Sequence, residues 1–207
     1  VDLFSDTSLS PIIAESERGK LIIFPNWISN SECDHLFNAL EKEIGWQSEE
    51  ISMFGRTIAV PRKVAWHGDP GANYRYSGVN HEPQPWLQKL LELRERLEKE
   101  FMDPVNSVLC NLYRDGHDSM GWHSDNEPEL GQLPTIYSIS LGATRYFDIR
   151  LKENHREKRR FELASGNLLI MKGAFQKFWE HQVPKQKKNL EPRINLTFRN
   201  IRSYQQS

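Results

Sequence analysis

The segment GWHSDNEPEL, residues 121–130, places an imidazole and a carboxylate two positions apart, at His123 and Asp125. On an extended chain, residues two apart project from the same side. A neutral imidazole beside a carboxylate favours a divalent first-row metal. A lone His-x-Asp pair recurs by chance, so it needs a third donor. The other histidines are His35, His67, His81, His117, His155 and His181. His181, in FWEHQVPK, is the best placed, between the apolar run NLLIMKG and the last strand-like segment. His117 is the nearest rival in sequence. Two imidazoles and one carboxylate form the facial set of non-haem Fe(II) oxygenases, which leaves open positions on the metal.

A second pattern supports a cosubstrate beside such a metal. In RINLTFRN, residues 193–200, strand alternation puts Arg193, Asn195, Thr197 and Arg199 on one face and Ile194, Leu196 and Phe198 on the other. A surface strand would turn the polar face to water. Twelve residues after a third metal donor, the same face is expected to line a polar cavity. Arginine grips carboxylates in a two-point fork, and a dicarboxylate has two ends to hold.

These side chains need a scaffold. Residues 20–29 read as a strand ended near Pro25. Ser29 and Glu32 have capping-box spacing, and Leu36, Phe37, Leu40 and Ile44 recur at helical spacing, predicting a helix over 30–44. A second helix is expected from about Pro85, with Trp86, Leu90, Leu93 and Leu97 as its apolar stripe. Residues 107–113, 135–141, 144–150, 159–164, 167–172 and 193–201 read as short strands separated by turn residues. Two helices followed by many short strands predict an α+β protein whose C-terminal half is a sandwich or jelly roll.

Composition narrows the function classes. The chain has 207 residues, 27% charged and 38% hydrophobic, which suits one folded domain. The net charge of −1 gives no overall basic footprint for nucleic acid, so such binding must rest on local groups. Three groups stand out: Arg56, Arg62 and Lys63; Lys152, Arg156, Lys158, Arg159 and Arg160; and Lys185, Lys187 and Lys188. Cys33 and Cys110 are expected to be reduced, packed thiols. No apolar run approaches the ~18 residues of a membrane span, and the first residues lack a secretory pattern. A monomer in the bacterial cytoplasm, or in the nucleus of a eukaryote, is the expectation.

The segments NLYRDGHDSMGWHSDNEPELG, SISLGATRYFDIR, GNLLIMKGAFQKFWEHQVPK and EPRINLTFRNI together resemble the AlkB family of Fe(II)- and 2-oxoglutarate-dependent dioxygenases, over roughly residues 20–202. The resemblance implies a double-stranded β-helix core over 105–202, two N-terminal helices packed on it, a nucleotide-recognition lid at 46–81, and a leading arm at 1–20. It implies His123, Asp125 and His181 as iron ligands, and Asn111, Tyr113, Arg193, Asn195 and Arg199 as contacts of 2-oxoglutarate. It further implies oxidative demethylation of 1-methyladenine or 3-methylcytosine in DNA. O2 and 2-oxoglutarate would be consumed, and succinate, CO2 and formaldehyde released.

Within the lid, the resemblance is strongest to the homologues that repair duplex DNA. Phe54 stands where a loop aromatic wedges into the stack after the damaged base is flipped out. Tyr74, Tyr76 and Glu127 match positions around the flipped base, and Arg62 belongs to a group suited to phosphate. Asn126 departs from the family pattern, which has an acidic residue there. Three other readings compete: a dioxygenase acting on RNA, a protein or a small molecule; a non-catalytic nucleic-acid-binding jelly roll; and a zinc hydrolase. The last would leave two arginines without a dicarboxylate to hold.

Overall fold

The structure is a computed structural model that describes residues 10–53, 56–76, 79–188 and 191–202. Strands β1 (Ile12–Ser16) and β2 (Gly19–Phe24) form a hairpin, and helix α1 (Asn30–Glu43) follows. Then come β3 (Gln47–Met53), β4 (Arg56–Gly68), β5 (Tyr74–Tyr76), β6 (Val79–His81) and helix α2 (Gln88–Phe101). The remainder is β7 (Ser107–Tyr113), β8 (Met120–His123), β9 (Ile136–Gly142), β10 (Arg145–Leu151), β11 (Lys158–Leu163), β12 (Leu168–Lys172), one-turn helix α3 (Phe175–Phe178), β13 (Trp179–Val183) and β14 (Arg193–Arg199).

The strands form a large sheet in the order β1-β2-β12-β9-β14-β7-β4-β3 and a small sheet in the order β11-β10-β13-β8. Alternation along the strands decides what each face meets. On β2 and β12, Leu21, Ile23, Leu169 and Met171 join Phe147, Ile149, Leu151, Trp179 and Val183 of the small sheet in one apolar cluster. That cluster is the filling of a two-sheet sandwich. On the other face of the large sheet, Val108, Cys110, Ile139, Leu141, Ile194, Leu196 and Phe198 pack with Leu36 and Leu40 of α1 and Leu90, Leu93 and Leu97 of α2. The core is thus three-layered: helices, large sheet, small sheet.

Local sequence explains the helix ends. Ser29 Oγ accepts from the Glu32 N–H at 3.4 Å, so the cap forms where the spacing predicts it. Helix α2 starts at Gln88, three residues later than Pro85, with Leu87 as its extended N-cap; Trp86 lies before the helix, stacked on Phe198 and donating to Asp69 Oδ1 at 2.8 Å.

Other elements differ from expectation. Residues 12–16 are an edge strand of the large sheet. The large sheet also takes in β2, β3 and β4, so it reaches well beyond 105–202. Strand β4 is 13 residues long despite Pro61. Its pairing with β3 shifts register between Ser48 and Glu50, opposite the proline, which is where a residue without an N–H is tolerated. Both cysteines are free and buried, as expected.

Candidate metal and cosubstrate site

Two strands of the small sheet bring the histidines together. His123 ends β8 and pairs directly across from His181 on β13, with ring centroids 4.2 Å apart. Asp125 follows on the chain leaving β8. One donor atom from each of His123, Asp125 and His181 lies within 4.8 Å of the others. His181 is fixed by a stacked contact with Phe147, ring centroids 5.3 Å apart, and its Nε2 lies 3.8 Å from Asp125 Oδ2. The rival His117 is exposed in the turn after β7, and its N–H donates to Asp115. His35 and His155 are exposed as well, while His67 is buried with Nδ1 2.7 Å from the Pro85 carbonyl.

The charge states suit a cation. Burial pushes the His181 imidazole down to about 3, with His123 adding to the shift, so it is neutral at physiological pH. His123 is lowered by the same cause. Its Nδ1 faces the Gly121 carbonyl at 2.8 Å, which leaves Nε2 as the lone-pair donor. Burial alone would raise the Asp125 carboxyl, but the Arg199 guanidinium, with smaller contributions from His181 and His123, outweighs it and lowers the group. Arg199 Nη2 donates to Asp125 Oδ1 at 2.7 Å. Two neutral imidazoles and one ionised carboxylate at this spacing fit Fe(II).

The large sheet supplies the opposite wall. The cavity between the sheets is lined by Asn111, Tyr113, Ser138, Asn195, Thr197 and Arg199 together with the three metal donors and apolar side chains such as Leu109 and Met171. Of the face that alternation assigned on β14, Asn195, Thr197 and Arg199 line the cavity, while Arg193 is buried without being part of that lining. Asn195 Nδ2 donates to Ser138 Oγ at 2.7 Å, and Thr197 Oγ1 donates to Asn195 Oδ1 at 3.1 Å.

Arg193 lies at the Tyr113 end, 1% exposed, its guanidinium 5.3 Å from the Tyr113 ring centroid. Its Nη2 donates to Ser140 Oγ at 2.9 Å, while Nε and Nη1 are buried with no hydrogen-bond partner among the described residues. Burial lowers this group to about 10, so it remains a cation at neutral pH. Two unused donors on a buried cation fit a carboxylate that arrives with a ligand. A metal face in the cavity and a buried cation packed on its lining residue Tyr113 match the two ends of 2-oxoglutarate.

Several residues fall elsewhere than the sequence suggested. Arg62 is not part of a surface group open to phosphate: it is 4% exposed and donates from Nε to Asn111 Oδ1 at 2.7 Å. Residues 60–64 alternate faces, and position 62 faces in. Lys152 also leaves its basic group, donating to the Gln176 carbonyl at 2.8 Å, and Arg160 is paired with Asp148 through two bonds. Arg156, Lys158, Arg159, Lys185, Lys187 and Lys188 are exposed. Glu127 is half-buried two residues after Asp125, and Asn126 is exposed. Phe54 lies outside the described residues. Tyr74 and Tyr76 lie on β5, paired with His81 and Val79 of β6, and their side chains lie outside the described set.

Sequence reasoning missed Gln176, whose Oε1 accepts from the Asp125 N–H at 2.9 Å. It also missed Arg145, buried at 1%, which bonds the carbonyls of Asp115, Asp118 and Pro184 and the Gln186 side chain. Arg145 lies over the Tyr113 ring on a guanidinium-to-centroid distance of 5.4 Å and knits the loops at that end of the cavity. No spacing rule marks either residue.

The fold and donor set define an iron- and 2-oxoglutarate-dependent oxygenase, and the profile of the 2OG-Fe(II) oxygenase superfamily matches residues 20–199. The chain is 40% identical over 205 residues to mouse (Mus musculus) alpha-ketoglutarate-dependent dioxygenase alkB homolog 3, covering 95% of this chain and 70% of the relative. It is 40% identical over 181 residues to DNA oxidative demethylase ALKBH2 of Bos taurus, covering 83% of this chain and 65% of the relative. The solved structure of OsALKBH1 superposes with a TM-score of 0.61 at 16% identity, over 91% of this chain and 100% of that one, which speaks for the fold. The chain belongs to the AlkB family within that superfamily, and its cofactors are Fe(II), 2-oxoglutarate and O2.

Proposed function

We propose that this dioxygenase removes methyl groups oxidatively from N-alkylated bases in DNA, with 1-methyladenine and 3-methylcytosine as substrates and duplex DNA preferred over single strands. The observation that carries the reading is a His-Asp-His donor set in a cavity whose lining residue Tyr113 packs against the half-used guanidinium of Arg193. A relative 40% identical over 181 residues carries a name that states DNA oxidative demethylation, which supports the reading.

His123, Asp125 and His181 would hold the iron, and Arg193 would take the distal carboxylate of 2-oxoglutarate. Asn111, Tyr113 and Asn195 would shape the slot between them. Bound there, iron, 2-oxoglutarate and O2 supply the oxidation of the N-methyl carbon, with succinate and CO2 as coproducts and formaldehyde lost from the hydroxylated methyl. The protein's own work is to keep both imidazoles neutral, the carboxylate ionised and the cavity walled from water by Leu109, Met120, Phe147, Met171 and Val183.

For the substrate, residues 46–81 are read as the lid. Phe54 would fill the gap left by a flipped base, and Tyr74, Tyr76 and Glu127 would contact that base. The exposed cations of the 156–159 hairpin and of 185–188 suit phosphate contacts.

The test is incubation with Fe(II), ascorbate, 2-oxoglutarate and matched single-stranded and duplex oligonucleotides carrying 1-methyladenine, followed by mass. Loss of one methyl group's mass, dependent on 2-oxoglutarate, is expected. Succinate formation without any loss of mass would overturn the substrate assignment and leave the iron site intact.

A further inference from the structure

Gln176 sits at the second position of α3, the single turn that leads directly into β13 and His181. Its side chain is 2% exposed. The Oε1 accepts from the Asp125 N–H at 2.9 Å, and the Nε2 donates to the Met171 sulfur at 3.4 Å. The amide can take only this orientation, because a backbone N–H needs an acceptor. The Gln176 carbonyl is held in turn by Lys152 Nζ at 2.8 Å. On the other side, α3 is seated against Gly19, where an added Cβ would lie 2.2 Å from the Phe175 nitrogen.

Asp125 therefore has two anchors of different kinds. Arg199 takes carboxylate Oδ1, leaving Oδ2 toward His181. Gln176 takes the backbone. Asp125 lies beyond the end of β8, outside the ladder that holds His123. Without the amide bond its main chain has no strand partner to fix it, and the carboxylate could swing about Arg199.

We propose that Gln176 is a positioning residue for the metal ligands: through Asp125 on one side and the start of β13 on the other, α3 sets the distance between the carboxylate and His181. This rests on the iron-site assignment. Partners of metal ligands typically matter by roughly 10–100-fold in metal affinity or activity.

The test compares wild type with Gln176→Met, which keeps length and volume but has no strong acceptor, and with Gln176→Glu, which keeps the acceptor. Metal-free protein is titrated with Co(II) and followed by visible absorption, and the Fe(II) dependence of 2-oxoglutarate turnover is measured alongside melting. Gln176→Met is expected to melt within a few degrees of wild type, to bind Co(II) about ten-fold or more weakly, and to need correspondingly more Fe(II) for half-maximal turnover while keeping most of its maximal rate. Gln176→Glu should recover most of the affinity. Wild-type Co(II) affinity in a folded Gln176→Met would overturn the proposal. Should that variant not fold, amide exchange in metal-free wild type decides: a protected Asp125 N–H supports the anchor, and an unprotected one overturns it. Failure of wild type itself to bind Co(II) would instead strike the iron-site assignment.

Discussion

Arg199 Nη2 and Asp125 Oδ1 are 2.7 Å apart with both side chains 3% exposed, which makes them a fully buried ion pair at the metal face. Such a pair is costly to break from one side, because the remaining charge has no water to turn to. Arg199→Met should cost about 3–5 kcal/mol of stability in the metal-free protein. A bound dication takes over part of the neutralising role, so the loss should be smaller with Co(II) present. Chemical denaturation with and without Co(II) measures both; an equal loss in the two states would contradict the shared role of Arg199 and metal.

Asp125→Ala removes the one anionic donor of the set. Co(II) binding should be lost, and formaldehyde release should fall to the background without enzyme. Near-wild-type formaldehyde release from this variant would refute Asp125 as a ligand.

Arg193→Met tests the cosubstrate end. Truncating one partner of a buried charge pair typically costs 2–5 kcal/mol, so the 2-oxoglutarate concentration for half-saturation should rise about thirty-fold or more. Arg193→Lys should recover little of this, since an ammonium cannot reproduce a planar fork. Calorimetric titration of 2-oxoglutarate into Co(II)-loaded protein reads the change directly, and an unaltered affinity would remove Arg193 from the site.

Legibility in the sequence followed the periodicity. The polar face of β14 and the apolar stripes of α1 and α2 are long enough for alternation or helical spacing to show; β14 is buried throughout, and Leu36, Leu40, Leu90, Leu93 and Leu97 bury as read, while Phe37 is half-buried and Trp86 precedes α2. Strand β8 has four residues and no clear period, and β13 alternates as WEHQV over only five residues with a histidine at one inward position, too short a run to mark it as a strand. Arg62 misled because a cluster of cations in sequence says nothing of which face each takes; in β4 it turns in, to Asn111. Gln176 is visible only once α3 and the Asp125 turn are in contact.

Asp118 offers a pH test away from the metal. Burial would raise its carboxyl, but the Arg114 guanidinium, bonded through Nε and Nη2 at 2.8 Å each, and the Arg114 N–H hold it below the usual carboxylate value. A carboxyl depressed in the folded state stabilises above its unfolded pKa, near 4, and that contribution is lost as pH falls through the folded value. Below about pH 4 the wild type should therefore lose stability more steeply than Asp118→Asn. Denaturation midpoints at a series of pH values give the two slopes; parallel acid limbs would show that Asp118 carries no part of the effect.

Phe54→Ala tests the proposed wedge. Turnover on duplex 1-methyladenine should fall while turnover on single strands is nearly kept, because only the duplex leaves a gap in a stack to fill. Equal losses on both substrates would assign Phe54 to folding or to the lid as a whole.

The strand that carries Arg193 and Arg199 is the last of the described strands in the chain, yet it lies at the middle of the large sheet, between β9 and β7. During synthesis β9 and β7 have no shared partner until β14 is delivered into the gap. A chain ending before residue 193 has His123, Asp125 and His181 but lacks Arg199, which pairs with Asp125 in the folded protein, and Arg193, the cation proposed for the cosubstrate. The metal face and the far wall of the cavity are thus completed together, by the last of the described strands to be made.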